Sequence, residues 1–240
     1  MPPSSLFDLS RRVDALELMD TRSFPPDVVR RTLAFLSLTN RRFGGDAVVL
    51  RRLSEWSRRW KRGEEVTLLD VGTGGADIAV TAARWARRNG FSLRITAVDL
   101  MPEIAAVARE NAREFPEIDV LEGDAFALQG SWDYVAASLF LHHVPLSETV
   151  AALRGLDDLS RRGLVVSDLK RSLPSYLAVS VLSLAAGNAV VRHDGPLSVR
   201  RAFARKELQS LAEEAGLLHL RAEEEPWFRL SLSGEKPGPS

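Results

Sequence analysis

The chain of 240 residues contains no cysteine, so disulfides, thiolate metal sites and a cysteine nucleophile are excluded. It has no surplus of either charge. Lys plus Arg and Asp plus Glu each number 32, so no net field draws it to nucleic acid or to an anionic membrane. Lysine itself is scarce. Of the 32 basic residues 28 are Arg and 4 are Lys, a skew expected of a GC-rich bacterial genome. Long apolar runs are also missing. The most apolar stretch, "YLAVSVLSLAAGNAVV" (176–191), is too short and too interrupted to span a bilayer. Residues 1–20 carry acids and lack the apolar segment of a signal peptide, so the expected location is cytoplasmic.

What is present is ordinary for a globular protein, with 45% hydrophobic and 27% charged residues. Residues 27–60 read as two helices, broken at "RRFGGD" (41–46) and ended at Gly63. Short apolar strands then alternate with helices. Strands are expected at 66–71, 93–100, 118–124, 131–140 and 162–169, and helices at 76–89, 103–114 and 147–160. Near-continuous apolar strands separated by helices predict a parallel sheet covered on both faces. An apolar helix over 175–191, a polar segment "RHDGPLSVRRAF" and a helix over 205–215 closed by Gly216 follow. Strands over 217–224 and 227–234, separated by Glu225 and Pro226, predict a closing antiparallel hairpin. The tail "EKPGPS" reads as disordered. The expected fold is therefore α/β, a doubly wound Rossmann-like sheet of seven strands with a C-terminal hairpin. A helical cap over 1–63 would precede a ligand-binding domain over 64–240 that carries a lid insertion at about 170–202.

"LLDVGTGGADIAV" (68–80) places Gly72, Gly74 and Gly75 at the mouth of the first strand. In a doubly wound sheet ligands sit at the carboxyl ends of the strands, and bare backbone there lets a ligand lie close to the chain. A dinucleotide site needs G-x-G-x-x-G, but the last position holds Asp77, which would repel a pyrophosphate. No G-K-[ST] follows, so a P-loop is excluded. A cofactor without phosphates fits better. Asp99 ends the second strand, where a carboxylate accepts ribose hydroxyls, and Asp124 ends the third, where one accepts from an exocyclic amine. Each acid alone also reads as a helix cap.

Together these motifs resemble the class I S-adenosylmethionine-dependent methyltransferases over about residues 64–234. "LLDVGTGGAD" matches the glycine motif, with Ala76 where the last small glycine usually stands. "AVDLM" matches the ribose motif, "EGDAF" the adenine motif and "DYVAASLFLHHV" the fourth-strand motif. "SVRRAFARKELQSLAEEAGL" matches the helix and turn before the hairpin, itself a family hallmark. The texture is nearest to small-molecule enzymes of ubiquinone and menaquinone biosynthesis and to bacterial relatives acting on phenolic or polyketide products of secondary metabolism. The resemblance implies S-adenosylmethionine as cofactor. Asp70, Gly72, Thr73 and Gly74 would meet its methionine end, which Ser138 closes. Asp99 would hold the ribose, Leu100 and Met101 the adenine face, and Asp124 and Ala125 the adenine amine.

The acceptor implied is a small aromatic, polyketide or quinone-like molecule, methylated on oxygen. Losing its proton calls for a base, and histidine is the side chain matched to neutral pH. His142 and His143 follow the fourth strand. His193, beside Asp194, follows the apolar helix, and His219 reads as structural. Loop histidines are often merely polar. No metal is expected, because no Asp-Asn pair follows Asp168 as in the family's cation-dependent branch. A nicotinamide oxidoreductase is the rival reading. It is opposed by Asp77 and by the absence of Tyr-x-x-x-Lys, since Tyr134 and Tyr176 are followed four residues on by Ser138 and Ser180. A non-catalytic nucleoside-binding or scaffolding protein on the same fold is the other. Monomer and homodimer both remain open.

Overall fold

The computed structural model describes residues 8–21 and 24–237. Seven strands, β1 (Glu65–Val71), β2 (Ser92–Asp99), β3 (Ile118–Glu122), β4 (Trp132–Ser138), β5 (Ser160–Leu169), β6 (Arg221–Glu225) and β7 (Arg229–Glu235), form one sheet. Their order is β3-β2-β1-β4-β5-β7-β6. β1 to β5 are parallel, and β7 runs antiparallel to both β5 and β6. This is the doubly wound α/β sheet with its C-terminal hairpin. Strand order reverses between β1 and β4, which opens a crevice at their carboxyl ends.

The helices are α1 (Leu18–Thr21), α2 (Pro26–Arg42), α3 (Gly45–Trp56), α4 (Asp77–Asn89), α5 (Pro102–Ala112), α6 (Thr149–Asp158), α7 (Leu173–Ala185), α8 (Ala189–Arg201) and α9 (Arg205–Glu214). Alternate residues of each central strand feed two cores. Leu69, Val71, Val135 and Val166 pack with α6 and α9, whereas Leu68, Ile95, Ala136 and Val165 pack with α3 and α4. Period two thus turns continuous apolar runs into two buried faces. α2 packs Val29 and Leu33 on Ile104 and Val107 of α5.

Three expectations differ from the structure. The segment 175–191 is not one helix. α7 ends at Ala185, Gly187 adopts φ 61°, and Asn188 caps α8 by accepting from Val190 N at 2.9 Å. α8 then runs through "RHDGPLS" with Pro196 inside it. Turn-forming residues are overridden here by tertiary bonds described below. The hairpin starts later than expected, because β6 begins at Arg221 and the turn is Pro226–Trp227–Phe228. Trp227 and Phe228 both take left-handed φ, 59° and 61°, a conformation that bulky residues rarely adopt. The tail is ordered further than expected: Glu235 belongs to β7, and Lys236 N donates to Arg162 O at 2.7 Å. Residues 238–240, and residues 1–7 of the opening stretch, lie outside the described residues.

A side chain of β4 helps to hold α3 and the turn after it against the sheet. Tyr134 of β4 stacks on Trp56 with ring centroids 4.9 Å apart. Its hydroxyl accepts from Trp60 Nε1 at 2.9 Å and donates to Glu235 Oε1 at 3.1 Å. Tyr134→Phe keeps the stack but leaves Trp60 and Glu235 without this partner. It should cost about 1–2 kcal/mol, read as a lower midpoint in urea at unchanged slope. No loss would mean that packing alone holds α3 and that turn.

Candidate active site

A cavity of about 1170 Å³ opens at the carboxyl ends of the strands. β1 delivers Asp70 to its wall and then turns sharply. Gly72 and Gly74 take φ 63° and 56°. A Cβ on Gly72 would lie 2.8 Å from the Phe140 ring, whereas one on Gly74 would meet only Leu33, at 3.8 Å. Gly72 is therefore bare for packing and conformation, and Gly74 for conformation and for whatever approaches it. Ala76, standing where the family motif has glycine, is left-handed too, at φ 61°. The departure thus touches backbone conformation as well as closeness of packing.

Asp70 is buried, and its Oδ2 accepts from Thr73 Oγ1 at 2.6 Å. Burial pushes its carboxyl up to about 7 despite that bond. Asp99 is the last residue of β2. Its two oxygens accept from Gly74 N at 3.0 Å and Met101 N at 3.1 Å, which ties the glycine turn to the β2 end. Asp99 also lines the cavity, and a carboxylate can accept more than these bonds. Leu100 is 69% exposed beside it, and Met101 packs on the α2–α5 cluster. Asp124 does not end β3, which stops at Glu122. It caps the short turn Ala125–Ala127 by accepting from Phe126 N at 2.9 Å, and it still lines the cavity. Ala125 is buried behind it. Ser138 ends β4, and its buried Oγ has no hydrogen-bond partner among the described residues. Bare turns, an exposed apolar shelf and an unused hydroxyl fit a nucleoside that carries a short polar chain.

Residues 68–163 match a family model described as a methyltransferase domain. Over that stretch, which holds the glycine turn and the crevice, the chain is similar to methyltransferases. It is similar to the ubiquinone biosynthesis O-methyltransferase of Xanthomonas campestris pv. campestris, with 32% identity over 122 residues. That match takes in 48% of this chain and 47% of the relative, so the chain spans about half the length of the curated relatives it matches. Among solved structures it is similar to a SAM-dependent methyltransferase from Aquifex aeolicus, with TM-score 0.59 and 19% identity over 89% of this chain and 99% of that one. It is also similar to magnesium protoporphyrin IX methyltransferase from Synechocystis PCC 6803 with bound SAH, with TM-score 0.56 and 15% identity over 81% and 82%. No helix among the described residues is long and apolar enough to cross a membrane.

The cavity has a second polar centre facing the glycine turn. His142 and His143 sit on a one-turn helix, Leu141–His143, directly after β4, with rings 4.2 Å apart. His142 is buried. Its Nδ1 lies 2.6 Å from Asp168 Oδ1, and its backbone N donates to Asp168 Oδ2 at 3.0 Å. Burial opposes ionisation of Asp168, but His142 and two backbone N–H groups outweigh it and hold the carboxyl below its usual value. His143 Nδ1 lies 2.9 Å from Asp20 Oδ1. His193 is not brought to this centre. Its half-exposed ring pairs with Asp194 at 2.7 Å and does not line the cavity. His219 lies in the turn before β6, not in the strand, 3.1 Å from Asp157.

The N-terminal segment, unremarkable in sequence, crosses this centre as a strap. Arg12 donates to His142 O at 2.8 Å and Val144 O at 2.6 Å. Asp194 of α8 accepts from Leu18 N at 2.9 Å and Met19 N at 3.1 Å, and so caps α1 from outside. Glu17 accepts from Ser198 Oγ at 2.8 Å and stands 3.7 Å from His142 Nε2. Burial pushes Glu17 up to about 7, against the pull of His143 and Ser198. Glu17, His142 and His143 bring one donor atom each within 4.8 Å of one another. Sequence reasoning missed Glu17 and Asp20, because isolated acids in a short segment carry no periodic signal.

Two outcomes follow. Gly74→Val should abolish S-adenosylhomocysteine binding in calorimetry while unfolding stays cooperative, since the turn lies at the rim and not in a core. Normal affinity would contradict the cradle. Glu17 in the unfolded chain loses its proton near 4.5, whereas in the fold it keeps it to about 7. Stability should therefore fall as pH rises between these values. Glu17→Gln should match the parent near pH 4 and exceed it at pH 8, by up to about 3 kcal/mol. Parallel stability curves for the two proteins would refute this.

Proposed function

We propose that this chain methylates an oxygen of a small, largely apolar acceptor, a phenol or enol of aromatic, polyketide or quinone-like type. The observation that carries this is the buried His142–Asp168 pair at the wall of an apolar cavity that also holds the glycine cradle. The O-methyltransferase named among the relatives supports oxygen as the acceptor atom. Asp77 supports this over a nicotinamide reading. It stands in the first turn of α4, where a pyrophosphate would dock, and Ser37 holds it at 2.6 Å.

Asp70, Gly72, Thr73, Gly74 and Ser138 hold the methionine end of the cofactor, and Asp99, Leu100, Met101, Asp124 and Ala125 its nucleoside. Bound S-adenosylmethionine supplies an electrophilic methyl group on a sulfonium. The chain aligns the acceptor oxygen with it and excludes water. The described part of the 1–63 segment supplies the cap, and the insertion at about 170–202 the lid. Leu177, Val181 and Leu182 of α7 and Leu36 of α2 offer the acceptor an apolar wall.

His142 takes the acceptor's proton. Asp168 fixes Nδ1 as the protonated nitrogen, which leaves the Nε2 lone pair toward Glu17 and the cavity. The proton moves from the hydroxyl to Nε2, and the imidazolium so formed is stabilised by the ionised Asp168. His143, tied to Asp20 and half-exposed, is the second candidate, and His193 the third. No metal takes part.

Single-turnover methylation of a panel of simple phenols tests this. His142→Ala should lower the rate by about 10²–10⁴ with S-adenosylhomocysteine affinity unchanged. Added imidazole should restore part of the rate. His143→Ala, His193→Ala and chelator treatment should leave it near the parent value. If His142→Ala keeps the parent rate, this pair is not the base. If a chelator abolishes the rate, the donors of Glu17, His142 and His143 hold a cation instead.

A further inference from the structure

Arg229 is the first residue of β7 and pairs in register with Leu169 at the end of β5. It is only 4% exposed, yet it lines the cavity. Among the described residues it is the one Arg or Lys in that wall. Its Nη2 donates to Asn40 Oδ1 at 2.5 Å, near the end of α2. Its Nη1 is buried and has no hydrogen-bond partner among the described residues. Asp168 and Asp46 favour its charge through space, but burial outweighs them and draws its proton affinity down. A buried cation held by one neutral amide is a costly arrangement, and such groups in native folds are normally paired.

A structural role accounts for one arm of the guanidinium. Nη2 reaches Asn40, and a Cβ on Gly45 would come within 2.8 Å of the same nitrogen, so this arm is packed into the α2–α3 junction. It does not account for Nη1. The other ionisable side chains of the wall are acids and the two histidines. Arg229 is the one guanidinium among the described residues of the wall, so an anionic group entering the cavity is drawn toward it. The guanidinium fork matches a planar carboxylate, which can take two parallel N–H bonds.

We propose that Arg229 receives the carboxylate of a ligand of this cavity. Two sources share that chemistry: an acceptor that is a hydroxylated aromatic acid, and the amino-acid end of the cofactor. The inference deepens the proposed activity and rests on it only in taking this cavity as the ligand site.

Calorimetry on the parent, Arg229→Met and Arg229→Lys separates the sources with two ligand pairs. S-adenosylhomocysteine is compared with 5′-methylthioadenosine, which shares its nucleoside and sulfur but lacks the amino-acid end. 4-Hydroxybenzoate is compared with its neutral isostere 4-hydroxybenzamide. In at least one pair, Arg229→Met should weaken the carboxylate member by about 10-fold or more, as for a lost charge-assisted bond, and leave the neutral member unchanged. Loss confined to S-adenosylhomocysteine assigns the cofactor, and loss confined to 4-hydroxybenzoate assigns the acceptor. Unchanged ratios in both pairs, or equal loss for both members of a pair, overturn the proposal in favour of a purely structural arginine. Should Arg229→Met not fold, Arg229→Lys decides, because a narrowed carboxylate preference supports the fork and an unchanged one overturns it. If neither adenosine ligand binds the parent, the proposed activity falls, and the benzoate pair still decides the role of Arg229.

Discussion

A carboxylate buried at the end of β5 holds the functional face together. Asp168 accepts from the backbone N–H of His142 and of Leu169 and faces the His142 ring, so it anchors the turn after β4 to the end of β5. That anchoring fixes where the carbonyls of His142 and His143 point. Arg201 of α8 donates to both, at 2.9 Å and 2.7 Å, and Arg12 reaches His142 as well. Arg201 also donates to Ala15 O and to Asp20, and so fastens the strap. One buried anion thus sets the turn, the turn sets two arginines, and the arginines join the strap and α8 to it. The order of dependence follows from cost. A buried carboxylate tolerates few geometries, because each lost donor leaves charge exposed to an apolar surrounding.

Burial acts on three acids in or behind the cavity wall with different results. Asp70 and Glu17 are both pushed up to about 7. Asp168, no less buried, is held low. The difference lies in what surrounds each one. Asp168 is hydrogen-bonded by two backbone donors and an imidazole, whereas Glu17 has His143 and Ser198 set against two nearby acids, Asp20 and Asp194. The same wall therefore keeps one carboxylate ionised behind His142 and two others near the point of exchange at neutral pH. An ammonium or sulfonium entering beside Asp70 would favour its ionised form, so binding of a cation there would release a proton from this wall.

Much of this fold was legible in the sequence for a specific reason. Parallel strands covered on both faces read as uninterrupted apolar runs, and Gly72 and Gly74 mark a turn that other residues take only under strain. Asp99 was legible because it closes such a run. Asp124 was misplaced by two residues, since nothing in "LEGDAF" distinguishes a strand end from a cap. The lid was harder. "HDGP" carries every local signal of a turn, yet Asp194 and Ser198 are held by Leu18, Met19 and Glu17, residues about 180 positions away. The local cost is a few tenths to one kcal/mol per ordinary residue and about 3 kcal/mol for an interior proline such as Pro196, and these tertiary hydrogen bonds are among the contacts that offset it. Glu17 was invisible for the converse reason, because its role exists only once the strap lies on α8.

The seam between the strap and α8 is polar. Between α1 and α8 the bonds are Asp194 to Leu18 and Met19, and Ser198 to Glu17. α7 meets α8 through Ser183 and Gly195, where even a methyl on the glycine would collide with the serine hydroxyl. Its apolar side chains Leu177 and Val181 are left facing the cavity and not the neighbouring helix. Hydrogen bonds exchanged with water change free energy little, by about 1 kcal/mol each, whereas separating an apolar seam exposes surface at about 25 cal/mol per Å². A cavity that must admit an apolar molecule is thus bounded by the contacts that cost least to exchange. The apolar surface is reserved for the wall that the acceptor itself would cover.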